Sequence, residues 1–108
     1  MPKQLPRNEV FTNLTYDETS PSCLRWVTNY TLRSKKGDVA GTLNRDRYWV
    51  VRLAGKLYYV HRIVIMLTQG EFDEDLHIDH KDGNKSRNFV SYLRVVTPSV
   101  NTRNRPVA

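Results

Sequence analysis

The chain has 108 residues, 39 % of them apolar, with one cysteine and a formal net charge of +6. That length suits one domain with a modest core, and the lone Cys23 excludes a disulfide framework and speaks against a thiolate zinc site. No apolar run approaches a membrane span and no charged-then-apolar leader points to export, so a soluble, cytoplasmic protein is expected, with a polyanion as the natural partner of its charge.

In chain order, Leu14 to Tyr16 and Cys23 to Val27 read as short strands separated by the loop signal Thr19-Ser20-Pro21-Ser22. Tyr48 to Leu53 and Lys56 to Val60 are rich in aromatic and β-branched residues and flank Ala54-Gly55, which predicts a hairpin. A helix follows from about His61 to Thr68, stopped by Gly70. Leu76 to Asp79 and Leu93 to Val96 form a second pair of strands, with a turn at Lys81-Asp82-Gly83-Asn84. Thr97-Pro98 starts a last helix, Thr as cap and Pro at the first helical position, and Asn101 and Asn104 fall on one of its faces. The fold class is therefore α+β: a strand-rich part over 1–60, then a ββα unit over 61–108, within one domain. Trp26 and Trp49 read as packing residues, and Cys23 as a small buried one.

Chemistry concentrates in His77-Ile78-Asp79-His80-Lys81-Asp82-Gly83-Asn84. Hydrolysis of a phosphodiester anion needs a base that works near neutral pH and a cation that takes charge from the leaving oxygen. An imidazole, with an unperturbed pKa of about 6.5, suits the first task, so His80 is the candidate base. Asp79 points to the opposite face of the strand and offers a hard oxygen, suited to Mg²⁺, Mn²⁺ or Ca²⁺ rather than to zinc. His77 shares that strand face with Asp79, which leaves it open as a further ligand.

From about Gly41 to Asn104 the order His61-Arg62-Ile63-Val64, Gly70, Asp79-His80, Gly83-Asn84, Asn88, Leu93-Arg94, Thr97, Asn101 and Asn104 resembles the HNH endonucleases of phage and intron-encoded homing type. The resemblance implies a ββα-metal (His-Me finger) fold and one divalent cation, Mg²⁺ or Mn²⁺. It implies His80 as the general base, with Asp79 and Asn101 as the metal ligands. One departure stands out: Tyr92 occupies the place of the family's Asn before Leu-Arg, which braces the loop carrying the base. Tyrosine cannot offer donor and acceptor together as a carboxamide does, so Asn88 and Asn84 are candidates to take over the brace.

Double-stranded DNA is the partner this implies, met by a monomer that nicks or a homodimer that cuts both strands, in the host cytoplasm if the gene is a phage's. Residues 81–105 carry Lys81, Lys85, Arg87, Arg94, Arg103 and Arg105 against only Asp82, and Asn104 joins them as a DNA contact. Lys35, Lys36, Arg45 and Arg47 form a second basic group interleaved with aromatic residues. The acidic stretch Glu71, Asp73, Glu74 and Asp75 is expected to face away from phosphate. Two classes of function remain: a metal-dependent DNA endonuclease, or a DNA-binding module descended from one in which Tyr92 marks lost activity.

Overall fold

A computed structural model describes residues 5–70, 77–81 and 83–96, the side chain of Val96 excepted. Its elements are α1 (Arg7–Asn13), β1 (Leu14–Tyr16), β2 (Leu24–Trp26), β3 (Thr42–Leu43), β4 (Trp49–Leu53), β5 (Lys56–Tyr59), α2 (Val60–Gln69), β6 (His77–His80) and β7 (Leu93–Val96), with a 3₁₀ turn at Val90–Tyr92. The strands form three separate antiparallel sheets, β1-β2, β3-β4-β5 and β6-β7. Among the described residues no helix is long and apolar enough to cross a membrane.

The centre of the fold is α2. Half of its ten residues, Val60, Ile63, Val64, Ile65 and Thr68, are β-branched and lose side-chain freedom in a helix. Tyr59, at its N-cap, contributes no side-chain hydrogen bond. Burial compensates: every residue from Val60 to Met66 is withdrawn from solvent, at about 1.5–3 kcal/mol for each large aliphatic side chain. The helix packs on α1, β1, β4, β5 and the 3₁₀ turn, and ends where Gly70, at φ 84°, donates its N–H to the Met66 carbonyl. One hydrophobic cluster runs from Leu5 through Leu24, Leu53 and Ile63 to Leu93, so the strand-rich first part and the second share a core.

The predicted strands appear within a residue or so at their described ends. Cys23 falls outside β2, with a positive φ of 68° at the end of the 17–23 turn. Its side chain is buried as expected. Burial pushes the thiol up to about 11. The strand-rich reading of 1–60 missed α1, which lacks a periodic apolar stripe. Its Val10 is fully buried in the core, and Asn13 Oδ1 accepts from Thr28 Oγ1 at 2.7 Å, so tertiary contact supplies what propensity does not. The two-residue β3 is too short to leave a pattern. Leu76, the acidic stretch 71–75 and the helix expected after Thr97 lie outside the described residues.

Hydrogen bonds outside the sheets tie the pieces together. Tyr16 Oη accepts the Val90 N–H at 2.9 Å and donates to Glu18, tying β1 to the 3₁₀ turn. Burial and that Glu18 bond raise the Tyr16 phenol to about 12. Ala40 and Gly41 carry the chain from the first hairpin to the second sheet: Ala40 N–H donates to the Leu24 carbonyl, and Ser22 Oγ donates to that of Ala40 at 2.6 Å. At Gly41, with φ 101°, a Cβ would stand 2.9 Å from the Val50 carbonyl oxygen and 3.3 Å from Val60 Cγ2.

Gly41→Ala therefore meets both strain and a backbone clash, and should lower stability by about 1–3 kcal/mol. Gly55→Ala, also at positive φ but facing open space, should carry the backbone strain alone, about 1–2 kcal/mol, and so less than Gly41→Ala. Thermal unfolding of the two variants checks the ranking.

Candidate active site

β6 and β7 pair with Asp79 opposite Arg94 and His80 opposite Leu93. Leu93 is buried, and Ile78 and Val95 pack on the main core. The face that carries Ile78 and His80 thus looks inward, while His77, Asp79 and Arg94 share the outer one. One dipeptide places an imidazole against the protein and a carboxylate toward solvent.

After His80 the chain turns sharply. Gly83, at φ 74°, donates its N–H to the His80 carbonyl at 2.9 Å, and Lys81 N–H reaches the Tyr92 carbonyl at 2.8 Å. Asn84 Oδ1 accepts the Ser86 N–H, shaping the loop that follows. That loop carries Asn88 inward until it is 1 % exposed. There Asn88 Oδ1 lies 3.3 Å from His80 Nε2. With the amide oxygen toward the ring, this contact favours the tautomer that carries hydrogen on Nε2 and the lone pair on Nδ1. Asn88 Nδ2 is also buried, with no hydrogen-bond partner among the described residues.

Tyr92 lies elsewhere. Its side chain is 36 % exposed, its ring is 5.9 Å from that of Phe89, and the Arg87 guanidinium stands 5.5 Å over it. Of the residues considered for bracing the base, Asn88 touches the imidazole, Asn84 serves its own loop, and Tyr92 stacks on the outside.

His80 is walled by two residues that the sequence did not single out for this place. The His61 ring, from the first turn of α2, is 5.1 Å away and nearly perpendicular at 73°. The Tyr48 ring is 6.2 Å away. His61 is 8 % exposed, and burial, with smaller contributions from His80 and Arg62, pushes its pKa down to about 3. The motif order includes His61 without placing it beside the base. No spacing rule brings residue 61 to residue 80, because the contact crosses from helix to hairpin.

On the outer face, Arg94 Nη2 meets Asp79 Oδ2 at 2.5 Å, with the two side chains 49 % and 43 % exposed. The Asp79 carboxylate is a hard, solvent-reached donor that suits a hard divalent cation, which would compete with Arg94 for the same oxygen. Among the described residues no three His, Cys, Asp or Glu side chains cluster as a metal site. Asn101 falls outside the described residues, as do Arg103, Asn104 and Arg105.

Several predicted basic residues gather near this hairpin. Lys81, Lys85 and Arg87 are exposed on the loop after His80, and the Lys85 ammonium stands 5.1 Å over the Tyr48 ring. Ser86 Oγ donates to the Arg47 carbonyl at 2.9 Å, joining this loop to the β3-β4 turn that carries Arg45 and Arg47. A cleft of about 300 Å³ lies between the two, lined by Asp46, Arg47, Gly83, Asn84 and Lys85. Lys35 and Lys36 belong to a different turn, held to Asp38 and Asn29 through backbone N–H groups.

Residues 58–103 match the HNH endonuclease family model. The chain is 43 % identical over 80 residues to DNA endonuclease I-HmuI of Bacillus phage SP01, covering 70 % of this chain and 45 % of that one. It is 33 % identical over 63 residues to an uncharacterized HNH endonuclease of Acanthamoeba polyphaga mimivirus, covering 58 % of this chain and 34 % of that one. The solved structure of DNA binding and cleavage by the HNH homing endonuclease I-HmuI superposes with a TM-score of 0.54 at 32 % identity, over 75 % of this chain and 49 % of that one. The chain thus spans less than half the length of these relatives.

The buried His61 makes acid stability a readout of the site. Unfolded, it titrates near 6.5; folded, near 3. Between those values the unfolded chain binds one more proton, so this contribution to stability is complete above pH 6.5 and is lost as the pH falls toward 3. His61→Phe should flatten that dependence by one proton, seen in denaturant midpoints measured from pH 7 down to about 4.

Proposed function

With an HNH endonuclease segment running through residues 58–103, we propose that this chain is a metal-dependent DNA endonuclease that hydrolyses phosphodiester bonds with His80 as general base. The observation that carries the reading is the imidazole of His80, held by Asn88 through Nε2 with the Nδ1 lone pair left for a water. In this reaction Nδ1 takes a proton from the water as its oxygen bonds to phosphorus, and the bond from phosphorus to the leaving oxygen breaks. Asn88 then accepts the Nε2–H bond of the imidazolium, whose positive charge strengthens it.

Asp79, with Asn101, would hold one divalent cation, Mg²⁺ or Mn²⁺; when bound, that cation neutralises charge on the leaving oxygen and on a phosphate oxygen. Arg94, half exposed beside Asp79, would offer its guanidinium to a phosphate. Lys81, Lys85, Arg87, Arg45 and Arg47 supply the charge that holds double-stranded DNA across the hairpin and the β3-β4 turn, which makes binding weaken steeply with salt. Arg103, Asn104 and Arg105 would extend that contact, and Lys35 and Lys36 would meet DNA at a separate point. The rival reading, a binding module without activity, drew on Tyr92 as a lost brace. Asn88 standing against His80 supports the enzyme over that rival.

Incubation of the chain with supercoiled plasmid, with Mg²⁺, with Mn²⁺ and with a chelator, tests the proposal. Metal-dependent conversion to nicked or linear DNA is expected. Intact plasmid with every metal, despite salt-sensitive binding, would favour the binding module. His80→Ala should lower cleavage by about 10²–10⁴-fold with DNA affinity unchanged, because a base acts on the water and adds little to ground-state binding. Asp79→Ala should raise the metal concentration needed, with partial recovery in Mn²⁺.

A second comparison separates the two bracing residues. Asn88→Ala should slow cleavage by about 10²-fold, as loss of the group that fixes a base's tautomer does elsewhere. Tyr92→Asn should leave the rate within about threefold, since its ring lies on the outer surface. Single-turnover rates of the two variants decide this.

A further inference from the structure

His80 sits at the end of a two-stranded hairpin, and among the described residues its ring makes one hydrogen bond, to Asn88 at 3.3 Å, which is long for an N–H···O contact. Such a bond chooses a nitrogen but holds the ring loosely; a base must be held to within about half an ångström and 10–20°. Among the described residues, ring packing adds to that restraint. Four rings from four segments meet here. The His61 ring lies 5.2 Å from that of Tyr59 in a stacked arrangement at 27°, and 5.7 Å from that of Tyr48. Tyr48 is 5.2 Å from Tyr59. His61 is thereby fixed on one side by β5 and on the other by the loop before β4, while its ring stands nearly perpendicular to His80.

We propose that His61 is a positioning residue for the base: its immobilised ring sets the plane of His80 so that Nε2 faces Asn88 and Nδ1 faces the substrate side. The catalytic sense of this inference rests on the reading of His80 as the base. Geometry and environment agree. α2 is the most deeply buried element, so a ring on its first turn is a rigid support for a residue on an outlying hairpin. Burial also keeps His61 neutral, so no second cation stands against the imidazolium formed during turnover. The other polar or charged groups around the pair are the phenols of Tyr48 and Tyr59, Arg62 on α2, Lys85 above Tyr48, and Asp79 with Arg94 on the outer face of the hairpin.

The test uses the full chain with ¹⁵N-labelled histidine. Nitrogen chemical shifts report which nitrogen of His80 carries the hydrogen, without any turnover. His61→Phe keeps a flat ring, and His61→Gln keeps a neutral polar group of similar reach without one. In the wild-type chain His80 should show one tautomer, with hydrogen on Nε2. His61→Phe should keep that tautomer and a kcat within about threefold. His61→Gln should show averaged nitrogen shifts and a kcat lowered roughly tenfold or more, with KM for DNA unchanged. A core-packing role alone would lower the Tm of the Gln variant but leave tautomer and kcat in place, and that result would overturn the proposal. So would a Phe variant as slow as the Gln variant. If the wild-type chain cleaves no DNA, the functional reading fails, and the nitrogen shifts of the three proteins still decide whether His61 orients His80.

Discussion

The constraint on which the molecule turns is the burial of α2. A segment made so largely of valine and isoleucine has little reason to be helical in water, and it lacks a capping side chain at its start. It becomes a helix because α1, two of the three sheets and the 3₁₀ turn close around it. Each of those pieces is too small to stand alone; a two-stranded hairpin in water is marginal at best. Helix and sheets therefore depend on one another, and the fold should form cooperatively around this one buried element.

That arrangement gives the β6-β7 hairpin its asymmetry. Leu93, Ile78 and Val95 press one face onto the shared core, and the period of two then assigns opposite environments to neighbouring residues. His80 gains a hydrogen-bond partner and ring neighbours, while Asp79 keeps access to water and to Arg94. Base chemistry wants an oriented imidazole, and metal binding wants a carboxylate that solvent and substrate can reach. A strand end supplies both in adjacent residues, which explains why an Asp-His pair before a glycine turn carries so much meaning.

Much of this was legible because it is local. Strands with aromatic and β-branched residues, the hairpin around Ala54-Gly55, the helix ended by Gly70 and the turn through Gly83 all follow from patterns a few residues long, and the structure reproduces them. What escaped is decided across distance. α1 is held by Val10 in the core and by the Asn13 bond from Thr28, neither of which leaves a periodic trace. Motif order put the family's brace at position 92 and left Asn88 and Asn84 as substitutes; only the loop's curvature separates them, delivering Asn88 to the imidazole and turning Tyr92 outward. His61 and His80, nineteen positions apart, meet only because helix and hairpin share a core.

Cys23 has a bearing on how this protein can be studied. It is the chain's single thiol, enclosed within the core, and its pKa of about 11 leaves almost no thiolate at neutral pH. Alkylating and maleimide reagents should pass it by while the fold is intact. The native sequence thus comes ready for site-selective labelling: a cysteine engineered at an exposed loop position would be the one reactive group, and a fluorophore or spin label could be attached without first removing the natural residue. Exposure of Cys23 itself to such a reagent would then report opening of the core, giving a chemical clock for unfolding in the unmodified chain.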